Sequence, residues 1–393
     1  MGFRLTPVTG PDLVGREKII GELERELGSE NQIGFLIYGL RRTGKTSVLK
    51  ETQRLLEARG MPVIYVSMWN IAPRTVDEFV RVLSRNAIAS FWRYLPSKFR
   101  LEELLSVGTG AIKAFLSGLK LTIAAQNDLE MAVSYMTRES DDIEKAMTGA
   151  FMLTEHLSEM TGRRSVLILD EFPTLRELQY GRYNQKAGES VFGLIRTIHE
   201  DFRRTKLVIA GSYRSTLEPV AFSKRAPFYN GLLLRTLAPF EMQELGKFIE
   251  HYMGGFKWEQ NARETLLHVS GGLPFNLQLL GRELQGSGGG RRIIPDDVEV
   301  AIRSIIRTEG DVRFSDYLRD LAPHEIRILK SYSNHRGEGI KDVMTAEHIE
   351  QATMRSGVKR LVKDGLLRRT GRGTYDLVDG LLARWLQAAD DEV

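Results

Sequence analysis

Cysteine is absent from this 393-residue chain, which excludes disulfides, thiolate nucleophiles and cysteine metal sites. Long apolar runs are missing as well. A membrane-spanning helix needs roughly 18 or more uninterrupted apolar residues, and the nearest approach, Ala111 to Ala125, is broken by Lys113 and Lys120. The stretch Met1-Gly2-Phe3-Arg4-Leu5-Thr6-Pro7 lacks the apolar segment and small-residue cleavage site of a secretory leader, so the expectation is a cytoplasmic protein with no membrane partner. An excess of charge of one sign is also lacking. With 55 basic against 51 acidic residues the net charge is only +4, so contact with nucleic acid has to be argued from local clustering. No internal repeat is visible. What remains, 42% hydrophobic and 27% charged residues, is ordinary globular composition, long enough for two or three domains at roughly 100–200 residues each.

One stretch organises the chain. Phe35-Leu36-Ile37-Tyr38 is a short apolar run, Gly39-Leu40-Arg41-Arg42-Thr43-Gly44-Lys45-Thr46-Ser47 is a basic loop punctuated by glycine, and Val48-Leu49-Lys50-Glu51 continues as a helix. This spacing suits a phosphate cradle. Gly39 and Gly44 allow backbone N–H groups to wrap a phosphate chain at the positive end of the helix, Lys45 meets the β- and γ-phosphates, and the Thr46 hydroxyl ligates Mg²⁺.

Around it lie further buried-strand patterns: Val63-Ile64-Tyr65-Val66, Ser165 to Leu169, Leu207-Val208-Ile209-Ala210, and Leu232 to Leu237 with Arg235 inside. Runs apolar on both faces, alternating with helical segments such as Lys18 to Leu27 and Val76 to Leu95, predict an α/β core with a parallel sheet covered on both sides. The core is expected over 1–238, with an insertion at about 96–145. Within that insertion Val107 to Ala125 reads equally as helix or hairpin. From Pro239 the strand signals stop, and helical patterns at Glu241–Tyr252, Glu259–Val269, Phe275–Leu284 and Asp296–Arg307 predict a helical lid over 239–320. The final part, 321–393, reads as helices at Pro323–Tyr332, Ala346–Gln351 and Met354–Lys363. A hairpin of Leu366–Arg369 and Thr374–Val378 around Gly371-Arg372-Gly373 follows, which together make a winged helix-turn-helix.

A nucleotide site needs a carboxylate at a neighbouring strand end. Leu167-Ile168-Leu169-Asp170-Glu171 supplies Asp170 for the metal and Glu171 as general base toward the attacking water. Ser212, at the end of the next strand, either orients water and the γ-phosphate or is ordinary turn chemistry. Arg214 and Arg225 are the basic candidates for an arginine finger, which a neighbouring copy of the chain could also supply.

In order, Val14-Gly15-Arg16-Glu17, Gly39 to Thr46, Asp170-Glu171, Gly211-Ser212, Gly271-Gly272-Leu273-Pro274 and Tyr375-Asp376-Leu377-Val378-Asp379 resemble the archaeal ATPase family within the STAND group of P-loop NTPases. More distantly the chain resembles AAA+ origin-recognition and initiator ATPases. The resemblance implies a P-loop NTPase core of the ASCE/AAA+-like kind with ATP and Mg²⁺ as cofactors. It also implies that Val14, Gly15 and Arg16 border the adenine and that Pro274 touches base or ribose from the lid. Initiators place a lid arginine where this chain has Pro274, with Arg282 two helical turns on, and this favours the STAND relatives. The STAND likeness implies a nucleotide-gated switch with slow hydrolysis.

In the last module Arg355, Lys359 and Lys363 share one helical face at spacing four, while Val358, Leu361 and Val362 are expected to face the core. Arg368, Arg369 and Arg372 lie on the wing. From Thr353 to Arg372 there are seven basic residues and one acid, Asp364. Duplex DNA is the partner this cluster suggests. The alternative is a nucleotide-binding scaffold with negligible hydrolysis whose winged helix docks a protein partner.

Overall fold

The computed structural model describes residues 2–95, 143–181, 185–212, 214–286, 292–319 and 321–391. Its centre is a five-stranded parallel sheet of β1 (Phe35–Gly39), β2 (Val63–Ser67), β3 (Ser165–Asp170), β6 (Thr205–Gly211) and β7 (Leu233–Leu237), in the order β2-β3-β6-β1-β7. Short hairpin strands β4 (Gln179–Tyr180) and β5 (Gln185–Lys186) lie between β3 and β6 in sequence.

The strands are apolar on both faces because two separate cores use alternate residues. Leu36, Ile64, Leu167, Leu169, Leu207 and Ile209 pack on one side, against α3 (Val76–Phe91), α4 (Ile143–Met160) and α5 (Ser190–Glu200). Phe35, Ile37, Val63, Val166, Ile168, Val208 and Ala210 pack on the other, against α1 (Glu17–Gly28) and α2 (Lys45–Ala58). Parallel strands end at one edge, so the loops after β1, β6 and β3 emerge side by side.

β7 departs from the expected buried run. It is an edge strand with Leu233 and Leu234 exposed and Arg235 paired with Glu22 at 2.5 Å, because nothing covers its outer side among the described residues. The helical region has α6 (Met242–Met253), α7 (Gln260–Ser270), α8 (Pro274–Gly286) and α9 (Pro295–Arg319), with a short pairing of β8 (Lys257–Trp258) and β9 (Arg292–Ile293). Here α9 runs on past Arg307, where the expected helical pattern ends. Gly310 does not break it, since the glycine makes room for Trp385, whose Cδ1 would lie 2.6 Å from an added Cβ.

The last part contains α10 (Pro323–Asn334), α11 (Ile340–Ala346), α12 (Gln351–Lys363), an antiparallel hairpin of β10 (Leu367–Arg369) and β11 (Tyr375–Leu377), and α13 (Gly380–Asp391). The second helix therefore precedes the expected Ala346–Gln351 segment. Val362 is exposed rather than core, because α12 turns Met354, Val358 and Leu361 inward. The closing helix α13 had no counterpart in the sequence reading. Helical region and last part share one apolar core. The expected ambiguity at Val107–Ala125 lies outside the described residues.

Candidate active site

Gly39 ends β1 where a Cβ would lie 2.6 Å from the Leu237 carbonyl and 2.9 Å from the Thr43 hydroxyl, so no larger residue fits. Gly44 takes φ 91° and hands the chain into α2. The amino end of that helix thus opens toward a cavity of about 220 Å³ lined by Arg41, Arg42, Thr43, Gly44, Lys45, Thr46, Ser47, Glu171 and Ser212 on its phosphate side. Lys45 is buried and donates to the carbonyls of Gly39 at 2.9 Å and Leu40 at 3.0 Å. Burial lowers its pKa, against the opposing pull of Glu171 and Asp170.

Three strand ends meet the loop. Thr46 Oγ1 donates to Asp170 Oδ2 at 2.7 Å, and Tyr65 at the end region of β2 donates to the same oxygen at 2.8 Å. Glu171 takes φ 56°, a left-handed angle unusual for a non-glycine residue, and its carboxylate accepts a hydrogen bond from the Ser212 hydroxyl. Burial pushes the Glu171 carboxyl up, while Ser212 and Lys45 oppose the shift. A raised carboxyl beside a nucleotide-sized cavity is suited to accept a proton. One carboxylate and one hydroxyl are few protein ligands, the donor set expected where a Mg²⁺ ion takes its other ligands from water and substrate phosphates.

The far wall comes from segments distant in sequence. Arg4 to Val8, Leu13, Val14, Arg16, Phe240, Phe248, Tyr252, Pro274, Phe275 and Gln278 line it. Val14, Arg16 and Pro274 thus line the cavity, whereas Gly15 turns at φ 76° with Phe240 packed behind it. Arg16 stacks over Phe240 at 4.5 Å and donates to the carbonyls of Thr43 and Ala238, and burial lowers its pKa to about 10. The amino-terminal segment is held by Val8 N on Ser47 Oγ, Gly10 N on Glu51 and Arg4 N on Gln278. Neither this segment nor Tyr65 was singled out from the sequence.

Arg42, also at positive φ, reaches from the cavity's edge to α8 and α9. Its guanidinium lies 4.7 Å from the Phe275 ring and 5.3 Å from that of Tyr317, and it pairs with Asp379 at 3.5 Å. Asp379 is buried, which pushes its carboxyl up. Its Oδ1 accepts from Asn276 at 2.8 Å and from the amides of Leu381 and Leu382, capping α13. Leu40 faces a small neighbouring cavity with Asp379 and Leu382.

Other expected residues lie elsewhere. Arg225 is exposed and does not line the cavity, and Arg282 pairs with Glu309. Of the basic residues on α12 and the hairpin, Arg355, Lys359, Arg369 and Arg372 are exposed. Lys363 instead pairs with Glu218, in the segment after β6, at 2.5 Å, and Arg368 approaches Asp376 at 3.8 Å.

Comparison with known proteins gives the arrangement its relatives. A family described as an ATPase domain predominantly from Archaea matches residues 13–280. No functionally curated protein matches the chain. Among solved structures, the Walker-type ATPase PABY2304 of Pyrococcus abyssi aligns with 98% of this chain and 100% of its own at TM-score 0.68 and 19% identity. The ORC2 protein of Aeropyrum pernix, solved as ADPNP–ADP complexes, aligns with 98% of this chain and 97% of its own at TM-score 0.57 and 15% identity. At such identities the likeness is one of fold.

Proposed function

The chain belongs to the family of ATPase domains found predominantly in Archaea, and on that premise we propose that it hydrolyses ATP at the cavity beside Lys45 and uses the nucleotide to control its C-terminal part. The observation that carries the reading is the continuous set of contacts Tyr65–Asp170–Thr46 and Glu171–Ser212 at the ends of adjacent parallel strands. Thr46 and Asp170 are the residues that would hold Mg²⁺, which when bound screens the phosphate charge. Glu171 takes the proton of the attacking water, Ser212 fixes its carboxylate, and Lys45 exchanges its two carbonyl partners for phosphate oxygens.

Control is supported by the Arg42–Asp379 pair, which ties the phosphate loop to the cap of α13. It is supported further by Lys363–Glu218, which holds the basic face of α12 against the core. We read the three helices and hairpin of residues 321–393 as a winged helix for duplex DNA, with Arg355, Lys359, Arg369 and Arg372 open to phosphates and Lys363 and Arg368 freed when these contacts part.

Replacing Glu171 by Gln tests the chemistry. Shape is kept and the base is lost, so ATP should be retained while turnover falls by about 10²–10⁴; hydrolysis at the parent rate would refute the role of Glu171. Titrating labelled duplex at two salt concentrations, with ADP and with a non-hydrolysable ATP analogue, tests the partner. About four phosphate contacts give a log–log salt slope of roughly −3.6, with tighter binding in one nucleotide state. Absent binding in both states would make the last module a protein-docking element.

A further inference from the structure

The phosphate loop carries two adjacent arginines, and the structure gives them different surroundings. Arg42 is engaged by Asp379, Phe275 and Tyr317. Arg41 has no hydrogen bond or ion pair among the described residues. It is exposed and stands at the rim of the nucleotide cavity with Lys45, Thr46, Glu171 and Ser212, and it also borders a second cavity with Arg313 and Thr308. An arginine has no need of solvent exposure on a loop meant only to wrap phosphates with backbone amides, since Gly44 and the start of α2 already do that. Meanwhile Arg225 does not line the cavity.

We propose that Arg41 is a catalytic residue that acts from within its own phosphate loop, placing its guanidinium on the γ-phosphoryl group and the β–γ bridging oxygen as charge shifts between them. This rests on the hydrolytic reading above. In the step itself, a water oxygen forms a bond to the γ-phosphorus while Glu171 takes one of its protons. The bond from that phosphorus to the bridging oxygen breaks, and the electron pair stays on ADP. Arg41 exchanges no proton in this step. Its contribution is electrostatic, and it is greatest in the transition state, where a planar, always-charged fork suits the equatorial oxygens of the transferring group. A free guanidinium on a flexible stem reorients toward phosphate at small cost, whereas Arg42 would first have to leave a buried carboxylate.

The test compares the full-length parent with Arg41→Ala and Arg41→Lys by steady-state turnover, by affinity for a fluorescent ADP, and by trapping of ADP with aluminium fluoride, which mimics the transferring phosphoryl group. Thermal unfolding checks that the variants are folded. The expected result is a fall in kcat of about 10²–10³ for Arg41→Ala, the range for losing one preorganised donor. ADP affinity should stay within about threefold, trapping should be lost, and Arg41→Lys should recover part of the rate. A parent that hydrolyses and traps while Arg41→Ala does both equally well overturns the role of Arg41 alone. An ADP affinity that falls as far as kcat also overturns it, reducing Arg41 to ground-state binding. A parent that neither hydrolyses nor traps overturns the hydrolytic reading and Arg41 with it.

Discussion

The two walls of the nucleotide cavity are built in different ways. The phosphate wall consists of loops at the ends of three parallel strands, β1, β3 and β6, and each functional residue sits within a few positions of a strand that fixes it in the sheet. The closing wall is assembled from the amino-terminal segment, α6 and α8, brought together by packing and a few polar contacts, with the cap of α13 bonded behind α8. The first wall is pinned to the sheet, with Thr46 bonded to Asp170 and Ser212 to Glu171. The second depends on contacts between segments hundreds of residues apart, and such contacts can break and re-form as units. The proposed mechanism puts chemistry on the first and control on the second.

The largest effect expected on the phosphate wall is that of Lys45→Ala. It removes a buried cation from the cavity and should bring turnover down to background in an ATPase assay while the thermal transition persists. Retained turnover would dissolve the distinction between the walls, since a buried phosphate-side charge would then be dispensable.

On the closing wall, Asp379→Ala strips α13 of its cap and leaves Arg42 without its carboxylate. Breaking a buried pair costs about 3–5 kcal/mol, and the aromatic neighbours of Arg42 place this one at the low end. Calorimetry should show the C-terminal part melting before the core, with Lys45-dependent nucleotide binding intact. A single transition at the parent temperature would mean that the pair does not hold the module.

A smaller change sharpens the phosphate side. Tyr65→Phe removes one of two hydroxyl donors to Asp170 Oδ2 and should weaken Mg²⁺-dependent nucleotide binding by about 0.5–1.5 kcal/mol, measured by titration calorimetry with ADP at varied Mg²⁺. An unchanged Mg²⁺ dependence would remove Tyr65 from the site.

The same difference explains what the sequence disclosed. Gly39 to Ser47 and Asp170-Glu171 are local patterns, each a strand followed by a defined turn, so their chemistry could be read from order alone. Asp379 belongs to a motif shared with the resembling family, yet neither the helix it caps nor its pairing with Arg42, 337 positions earlier, is legible in the sequence. The helical pattern read as ending at Arg307 continues to Arg319, with Gly310 leaving room for Trp385, whose indole donates to Asp311 at 2.8 Å. Tyr65 sits in an apolar strand and resembles any core residue. Arg4 to Val8 carry no periodicity, and their place on the cavity follows from single hydrogen bonds to Ser47 and Gln278.

The central claim, that the closing wall reports the nucleotide held by the phosphate wall, has a direct measurement. Because the chain contains no cysteine, Glu30→Cys on the core and Lys341→Cys on α11, both at exposed positions, can carry paired spin labels without further substitution. Distances between them in the Glu171→Gln background, compared for ADP and for ATP with Mg²⁺, should fall into two distributions. The same pair in Asp379→Ala should show the released distribution in both nucleotide states. One unchanged distribution across nucleotide-free, ADP and ATP samples would contradict the account and leave the C-terminal part a fixed extension of the ATPase core.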